Sequence, residues 1–568
     1  MSSFLRTRGD RVKVIPLLVI VAVSALRGRT CLDVDVQLLV RRSRSAPTAA
    51  KQPTETRAHP SSHRAASHRA QPRTASTTVE MAASPPPTVH RVAMICDFFY
   101  PSMGGVENHI YQTAQCLLRL GHKVVVVTHR YGSRCGVRWL ANGLKVYHLP
   151  FAEVYDRCVL PSGVLLLPVL RDVLLREQVS VVHTHAISTM SLEAVVLASL
   201  LGYRVVHTEH SNFGFASAID INLNQLEGFV LSQADTVIAV SHTSKENVAL
   251  RCALVPENVY VIPNAVDTTQ FTPDPDNVRP KGTINVVVMT RLVWRKGAHL
   301  LVRLIPLACA RFPYVHFIIG GDGPKRLALD EMVERHQLHE RVELLGAVAH
   351  SDVPSVLTRA HVFLNTSLTE AFCIAILEAV SCGLLVVSTK VGGVPEILPK
   401  HMLLFAQADG HSAAAQADAL LEALSEALST VRKRRQPTGF HRDVCKMYSW
   451  ADVARRTCVV YDAVGRRPRP SLVRRLRLLA PLGPIAGPVA AFVFTAQFLL
   501  LAALRWWRPD AAVEAAPDWP RDPIDGEAGG GARHETRLAG TKLLAHEQFL
   551  DALASRREGR KVVIGGGL

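Results

Sequence analysis

The chain has 568 residues, of which 48% are hydrophobic and 20% charged, and its formal net charge is +17 at pH 7. This length is enough for several domains with a large core, but the positive charge is concentrated at two places: residues 1–90 hold 14 Lys/Arg against 5 Asp/Glu, and residues 466–477 hold six arginines without an acid. Because residues 91–465 are close to neutral, the composition argues against a basic face for nucleic acid.

Residues 1–88 form a basic extension before the first predicted domain. Within it, residues 14–26 are an apolar run flanked by basic residues, which is too short to predict a membrane span and suits a signal-like segment. Residues 41–87 are rich in Arg, Ser, Ala, His and Pro, and a segment of this composition is expected to be disordered. Two interpretations stay open: a targeting segment, or a mis-assigned start codon upstream of Met81.

The predicted N-terminal domain covers residues 89–278. RVAMICDF predicts a first strand, and a glycine loop with Gly104 and Gly105 leads into an amphipathic helix that stops at Gly121. Further strands are predicted at residues 144–149, 180–184, 203–208, 236–240 and 259–262. This alternation predicts a doubly wound parallel sheet. A Gly-Gly turn lets backbone approach a phosphate closely, although most such turns are only turns.

Three histidines, His183, His185 and His210, lie at or just beyond predicted strand ends of this domain. Ligands bind beyond the carboxyl edge of a parallel sheet, where a neutral imidazole can donate a hydrogen bond to a sugar hydroxyl or a phosphate oxygen. The alternative is that these side chains are polar caps on their strands. Asn264 and Asp267, in VIPNAVD, mark the connection to a second domain and are open to a turn role or a ligand contact.

The predicted second domain covers residues 279–440. Its first strand ends near Arg291, and Lys296 follows on the same strand-to-helix loop. Two cations on such a loop can neutralise a diphosphate leaving group; alternatively, they are two solvated basic residues. VHFIIGGDGPKR predicts another strand–glycine–helix turn, and RVELLGAVAH predicts a strand whose following loop could meet a nucleobase through backbone groups.

Residues 361–399 have the pattern strand, polar loop, helix, strand and glycine turn. The strands are predicted at 362–364 and 384–388, and the helix from about Ala371 to Cys382 and Gly383, with Gly392 and Gly393 in the final turn. This pattern is the βαβ unit of a parallel sheet.

Two acids mark this unit, Glu370 at the predicted helix start and Glu378 along it. Eight helical residues rise about 12 Å, a separation that suits the two ends of one elongated ligand. Between the acids, the N–H groups of Phe372, Cys373 and Ile374 are predicted to point out of the helix N-terminus, which suits a phosphate. Together these groups describe a nucleotide-sugar site; the alternative is a buried helix with one solvated and one capping glutamate.

In their order, these motifs resemble those of the GT-B, retaining glycosyltransferases of family 4, over roughly residues 90–462. The motifs are the Gly-Gly loop, the Arg291 and Lys296 pair, GGDGP, the Glu370 and Glu378 pair, and GGVPE. DFFYPSMGGVENHIYQ, VSHTSKEN, VIPNAVD, IGGDGPKR and FLNTSLTEAFCIAILEA further resemble the GPI N-acetylglucosaminyltransferase family. The resemblance implies an α/β fold of two Rossmann-like doubly wound domains facing a cleft. It also implies transfer of GlcNAc from UDP-GlcNAc to phosphatidylinositol, the first step of GPI-anchor synthesis.

The resemblance also implies roles for ten residues. Those that it places on the UDP moiety are Gly104, Gly105, Arg291, Lys296, Phe372, Cys373, Ile374 and Glu378. Within that group, the two cations bind the diphosphate and the second acid binds the ribose hydroxyls. The remaining two are the candidate catalytic residues: Glu370 is expected to contact the donor sugar, and His210 to lie near the reacting centre.

No metal or other cofactor is expected. The resembled enzymes retain the anomeric configuration without a divalent metal, and positive side chains stabilise the departing UDP. The Asp-x-Asp matches at 33–35 and 274–276 fall in the extension and the interdomain link. The eleven cysteines are scattered, odd in number and without zinc-ligand spacing, which indicates a reducing compartment. Two alternatives stay open: a family 4 transferase with another nucleotide-sugar or lipid acceptor, and an inactive GT-B scaffold in a membrane complex.

The C-terminal part predicts a membrane attachment. Residues 441–465 predict the closing helix that packs across the cleft in this fold, and 478–507 predict one transmembrane helix ending at two interfacial tryptophans; a hydrophobic hairpin in one leaflet is the alternative. The six arginines precede this segment, so the catalytic domains are expected on the cytosolic face of the endoplasmic reticulum membrane. The same arginines could attract anionic lipid such as phosphatidylinositol. Other subunits of a transferase complex are implied as partners, and the tail, 508–568, is assigned no function.

Overall fold

The computed structural model describes residues 88–155, 157–214, 218–274, 282–407, 412–433, 439–465, 472–477, 479 and 482–518. The predicted extension up to residue 87 and the tail beyond 518 lie outside the described residues. The chain divides into two units, Met1–Pro517 and Asp518–Leu568. The two sheets, the cleft and the C-terminal helix all belong to the first unit.

The first sheet is built around β1 and β6, whose side chains are almost all buried because helices cover both faces. Its strands are β1 (Arg91–Ile95), β2 (Lys123–Arg130), β3 (Gly136–Leu140), β4 (Leu144–Tyr155), β5 (Cys158–Val159), β6 (Val181–His185), β7 (Arg204–Glu209), β8 (Thr236–Ala239) and β9 (Val259–Val261). Their order is β3-β4-β2-β1-β6-β7-β8-β9, with β5 on β4. The pairs β3–β4 and β4–β5 are antiparallel and the others parallel.

The second sheet has six parallel strands in a doubly wound order. Its strands are β10 (Ile284–Met289), β11 (Val315–Gly320), β12 (Val342–Gly346), β13 (Val362–Asn365), β14 (Leu385–Thr389) and β15 (Leu403–Ala406). They run β12-β11-β10-β13-β14-β15, so the order reverses between β10 and β13. A ligand crevice forms outside the strand ends at such a switch point, and the loops that leave these two strands carry Lys296 and Glu370.

Helices pack on both sheets and complete two lobes, the first over residues 88–274 and the second over residues 282–433. Those of the first lobe are α1 (Gly105–Arg119), α2 (Leu166–Arg176), α3 (Thr189–Leu201), α4 (Ala218–Leu231) and α5 (His242–Arg251). Those of the second lobe are α6 (Ala298–Arg311), α7 (Arg326–Arg335), α8 (Val353–Thr358), α9 (Ile374–Ser381) and α10 (Ala413–Lys433). The second lobe has one large apolar core, and the first lobe has a separate cluster on each face of its sheet.

After the second lobe, the chain returns to the first lobe through two helices, where the sequence predicted one. These are α11 (Phe440–Met447) and α12 (Trp450–Gly465). The break falls at Tyr448, whose hydroxyl donates to the Ile397 carbonyl at 2.7 Å. Helix α11 packs in the core of the second lobe and α12 in that of the first. Tyr461 of α12 is fully buried there. Together α11 and α12 therefore link the two lobes.

The C-terminal apolar segment is a single helix, α14 (Gly483–Trp507), preceded by the short α13 (Leu472–Arg477). Its part from Gly487 to Trp507 is 21 residues long and contains an 18-residue window with a mean hydropathy of 1.9, so it is long and apolar enough to cross a membrane. The helix continues through Pro488, so residues 483–507 do not form the hairpin that the sequence left open. One of the six preceding arginines, Arg475, is buried and donates to Ser199, so it is held by protein contacts.

Candidate active site

The structure brings all ten predicted site residues to one cavity between the lobes. This cavity has a volume of about 1740 Å³. The predicted residues that line it are Gly104, Gly105, His210, Arg291, Lys296, Glu370, Phe372, Cys373, Ile374 and Glu378. Arg295 lines it as well and is a third cation from the second lobe, and Arg157 adds a cation from the first lobe; neither was predicted from the sequence.

Lys296 and Glu370 form an ion pair on the floor of the second lobe. The Lys296 Nζ donates to the Glu370 Oε1 at 2.6 Å, and the Ser367 hydroxyl donates to the same oxygen at 2.7 Å. Burial disfavours the charged form of Lys296, but the neighbouring Glu370 carboxylate outweighs it, so the pKa of Lys296 is raised. The lysine therefore remains a cation, and Arg291 lies exposed on the same loop.

The two loops that carry this pair are joined through backbone contacts. The Thr366 hydroxyl donates to the Lys296 carbonyl at 2.9 Å, and the Leu368 N–H donates to the Arg295 carbonyl at 2.9 Å. Gly297 has a φ of +71°, and a Cβ there would lie 1.9 Å from the Thr366 carbonyl oxygen. Only glycine permits this approach without moving a loop, so the position after Lys296 is sterically determined.

The backbone of Glu370 is held by the glycine turn and by the first lobe. The Gly393 N–H and the Asn212 side-chain amide each donate to the Glu370 carbonyl at 3.0 Å. A Cβ on Gly392, whose φ is +48°, would lie 1.9 Å from that carbonyl oxygen. The glycines of GGVPE therefore allow one strand end to lie directly against the next.

The glutamate of GGVPE joins the lobes, a role that was not predicted from the sequence. The Glu396 carboxylate accepts hydrogen bonds from the N–H groups of His242 and Thr243 at 2.7 and 2.8 Å, and also from the Thr243 hydroxyl. These N–H groups belong to the first turn of α5, where a negative charge is favourable.

The helix between the two acids begins later than predicted. Helix α9 starts at Ile374, with Cys373 as its N-cap residue in an extended conformation. The predicted start at Ala371 is wrong because the preceding residues are held by the glycine turn, through the bond from Gly393 to Glu370. The first turn therefore presents the N–H groups of Ile374 and Ala375, whereas Phe372 lies before it. The predicted separation of the two acids assumed eight helical residues, whereas the helix covers only the part from Ile374 to Glu378.

The glycine loop of the first lobe lies against this helix start. A Cβ on Gly105 would lie 3.7 Å from the Ile374 Cδ1, so the two lobes nearly touch at this point. A Cβ on Gly104 would lie 2.6 Å from the Glu107 Oε2. Glu107 is buried in the first turn of α1 and accepts from the Ser102 hydroxyl at 3.1 Å. The loop that was predicted to approach a phosphate therefore lines the same cavity as the cations.

Glu378 has a histidine partner that was not predicted from the sequence. The His350 Nε2 lies 3.3 Å from the Glu378 Oε1, and Phe271 packs edge-on against its ring. The hydrogen bond to Glu378 is the main reason why the pKa of His350 is raised. The signal available in the sequence was a polar residue in the loop after β12.

Three histidines of the first lobe meet below the cavity. We call His109, His185 and His210 the three-histidine cluster; their donor atoms all lie within 4.8 Å of one another. Burial lowers the pKa of each, to about 4 for His109, so the imidazoles are neutral. The His185 Nδ1 lies 3.4 Å from the His210 Nε2, and the His109 Nδ1 lies 2.7 Å from the Asn264 Oδ1. Both His210 and Asn264 line the cavity.

Neighbouring contacts assign structural roles to His183 and Asp267, which the sequence left open. His183 is a buried structural residue, since its ring nitrogens lie 2.7 Å from the Tyr461 and Thr208 hydroxyls. Asp267 has a turn role, because its carboxylate accepts from the Thr269 N–H at 3.0 Å.

Comparison with known proteins gives a consistent result. The family PIGA (GPI anchor biosynthesis) matches residues 129–217, and the family Glycosyl transferases group 1 matches residues 271–437. The chain is 50% identical over 430 residues to a phosphatidylinositol N-acetylglucosaminyltransferase subunit from Arabidopsis thaliana, covering 75% of this chain and 94% of that protein. It is 47% identical over 433 residues to the Homo sapiens protein of the same name, covering 76% and 88%.

Solved structures with low sequence identity share the two-lobed fold. Sucrose-phosphate synthase from Thermosynechococcus elongatus superimposes with a TM-score of 0.56 at 20% identity, covering 66% of this chain and 99% of that one. Anabaena HepE in complex with UDP and glucose gives a TM-score of 0.53 at 18% identity, covering 66% and 100%. These likenesses confirm the GT-B fold.

Proposed function

Since this chain belongs to the family of these phosphatidylinositol N-acetylglucosaminyltransferase subunits, we propose that its interlobe cleft transfers GlcNAc from UDP-GlcNAc to phosphatidylinositol. The chain is a glycosyltransferase of GPI-anchor biosynthesis with a GT-B fold. One observation carries the assignment of the cleft: two acids, three cations and the start of α9, all from the second lobe, line the same cavity at the switch point of the second sheet.

The second lobe would hold the donor. Arg291 and Lys296 would bind the diphosphate. The N–H groups in the first turn of α9 would donate hydrogen bonds to its phosphate oxygens, since a helix N-terminus favours an anion. Glu378 would accept from the ribose hydroxyls, and Glu370 from hydroxyls of the donor sugar. This division is supported by the position of the acids, because one precedes the start of α9, the other lies within the helix, and both line the cavity.

Departure of UDP would then be assisted by fixed positive charge. A raised pKa keeps Lys296 protonated, and its Nζ is already oriented by Glu370 and thus needs little reorganisation when charge develops on the leaving phosphate. On this proposal no metal is needed to neutralise the diphosphate. His210 is neutral and lines the same cavity, which suits a hydrogen-bonding role near the reacting centre.

The membrane would supply the acceptor. Helix α14 has the length and hydropathy to meet a bilayer. Because Arg508, just beyond its C-terminus, contacts Asp172 of the first lobe, the helix would attach that lobe to the membrane through its exposed face. The arginine-rich segment before it suits the anionic cytosolic leaflet. The endoplasmic reticulum is the proposed membrane, and the relatives' designation as subunits supports partners in a complex.

The experiment is transfer by microsomes that contain the full chain in its complex. Radiolabelled UDP-GlcNAc is expected to yield GlcNAc-phosphatidylinositol, and Glu378→Ala is expected to abolish most of that product. A product with another sugar or lipid would reassign the substrates. Full activity of Glu378→Ala would remove the cleft from the reaction and favour a scaffold role.

A further inference from the structure

The cavity that holds the charged residues continues into an apolar groove in the first lobe. Its apolar lining comes from α3, α4 and α14, where α3 contributes Leu192 and Val196, and α4 contributes Leu226 and Phe229. The acids and cations proposed to bind the donor are on the second lobe, whereas the apolar groove is formed by the first lobe and α14. Polar side chains of the first lobe also line the cavity, among them Glu193 on α3.

Helix α14 forms one wall of this groove. Its residues that line the cavity are Val489, Ala490, Val493, Phe494 and Gln497. The C-terminal half of the helix packs into the core cluster formed with α2 and α3, where Leu501 is 2% exposed. The helix that is apolar enough to cross a membrane is thus also a fixed part of the first lobe.

Polar contacts hold α14 in this position. The Gln497 side-chain amide donates to the Gly163 carbonyl at 2.8 Å. Beyond the helix, the Arg508 guanidinium lies 3.1 Å from a carboxylate oxygen of Asp172, and the Arg171 Nε donates to Asp510 at 3.1 Å. Contacts along the helix and just beyond it fix its register against the lobe, so the groove has a defined wall.

The rim of the groove is apolar and exposed. On the lobe, Val154 and Tyr155 at the end of β4 and Leu160 after β5 line the cavity and are 44–47% exposed. On α14, Phe492 is 75% exposed. Large apolar surface of this extent is stable where it meets a membrane or a partner, and α14 has the length and hydropathy for a membrane.

We propose that this groove holds the acyl chains of the lipid acceptor, with α14 as its inner wall, while the lipid headgroup reaches the charged cleft. The inference rests on the proposed function, because it concerns the acceptor of that reaction. The charged cleft and the apolar groove are parts of one continuous cavity. A molecule that fills both needs a polar head and an apolar tail, which a membrane lipid has and a helix of a partner subunit lacks. Lateral entry from the bilayer would follow the exposed rim.

The test fills the groove without adding charge. Val493→Trp places bulk among the lining residues, and Leu499→Trp places the same side chain on the exposed face of the same helix. The full chain in its complex is assayed with long-chain phosphatidylinositol and with a short-chain analogue that does not reach along the groove. Val493→Trp is expected to lower transfer to the long-chain lipid about tenfold, equivalent to lost burial of about two methylene groups, and to change transfer to the analogue less than about twofold. Leu499→Trp is expected to change neither.

A binding measurement separates this inference from the proposed function. A phosphatidylinositol with a photoreactive group in its acyl chain is expected to label residues 489–497 whether or not transfer occurs. Equal effects of Val493→Trp on both lipids, or labelling only outside this segment, would overturn the groove assignment. Release of a partner subunit by Val493→Trp, with equal losses for both lipids, would assign the groove to that partner. Absence of transfer to either lipid by the unsubstituted protein, with labelling intact, would overturn the proposed function alone.

Discussion

Replacing Lys296 with methionine is expected to remove most of the transfer activity while the protein stays folded. Methionine keeps an unbranched stem and removes the Nζ that lies 2.6 Å from the Glu370 Oε1. Loss of one preorganised group that faces a developing negative charge lowers kcat by about 10²- to 10³-fold. Arg291→Met is expected to have a smaller effect, because Arg291 is exposed and solvent screens its charge.

The same change also alters stability, which allows structure and catalysis to be separated. Glu370 is 8% exposed and would keep Ser367 as its donor. Removing one partner of a fully buried pair costs about 3–5 kcal/mol. The Lys296 side chain is 27% exposed, so solvent reduces the expected loss to about 1–2 kcal/mol. The double variant Lys296→Met/Glu370→Gln removes the unpaired charge and is expected to recover most of the stability.

The assay measures initial rates of GlcNAc transfer by the complex and the Tm of the same preparations. Lys400→Met, at an exposed position outside the cavity, is the matched control and is expected to change neither quantity. If the double variant regained activity together with stability, Lys296 would be only a structural partner of Glu370. A role for Lys296 in stabilising the leaving group would then be refuted.

Contacts around the cleft give three further predictions. The pKa of His350 is raised by Glu378. The contribution of this pair to stability is therefore full below the unfolded pKa of about 6.5 and is lost as pH rises through the folded pKa. The Tm difference between the protein and His350→Asn should shrink from about pH 5.5 to about pH 8.5, and a constant difference would contradict this. Glu396→Gln removes the negative charge at the α5 N-terminus. It is expected to lower the free energy of unfolding by about 1 kcal/mol and to reduce kcat. An unchanged transfer rate would show that this contact does not align the lobes. Dialysis against metal chelators is expected to leave transfer unchanged, and a loss restored by Zn²⁺ would identify the three-histidine cluster as a metal site.

The second sheet was the most predictable part of the fold because its strands are buried on both faces. Apolar runs of four to six residues mark β10, β11, β13 and β14 in the sequence, and glycine or polar loops follow them. The hairpin β3–β4 was only half predicted. β4 begins with six buried residues, LKVYHL, whereas β3 is an edge strand with partly exposed side chains and lacks a clear alternation. Edge strands give a weak pattern because one side is unpaired.

Site residues could be predicted where a local sequence motif contains them. They could not be predicted where their role depends on a contact with a residue far away in the sequence. Glu370 and Lys296 each follow a strand at the switch point, which a local pattern reveals. Glu396 binds residues 153 and 154 positions away, and Asn212 reaches a carbonyl 158 positions away. The helix start at Ile374 was misplaced for the same reason, since a turn about twenty residues downstream holds the preceding backbone.

These distant contacts matter because the two lobes supply different parts of the reaction. The proposed donor groups lie on the second lobe, and the proposed lipid groove lies on the first lobe with α14, so neither lobe contains a complete site. Their alignment depends on contacts that join the lobes: Asn212 to the Glu370 carbonyl, Glu396 to α5, and the segment of α11 and α12, which packs first on one lobe and then on the other. The first of these ends on the very residue proposed to contact the donor sugar. A shift of one lobe therefore displaces the sugar relative to the lipid headgroup, and the interlobe contacts set the geometry of transfer as directly as the residues that touch substrate.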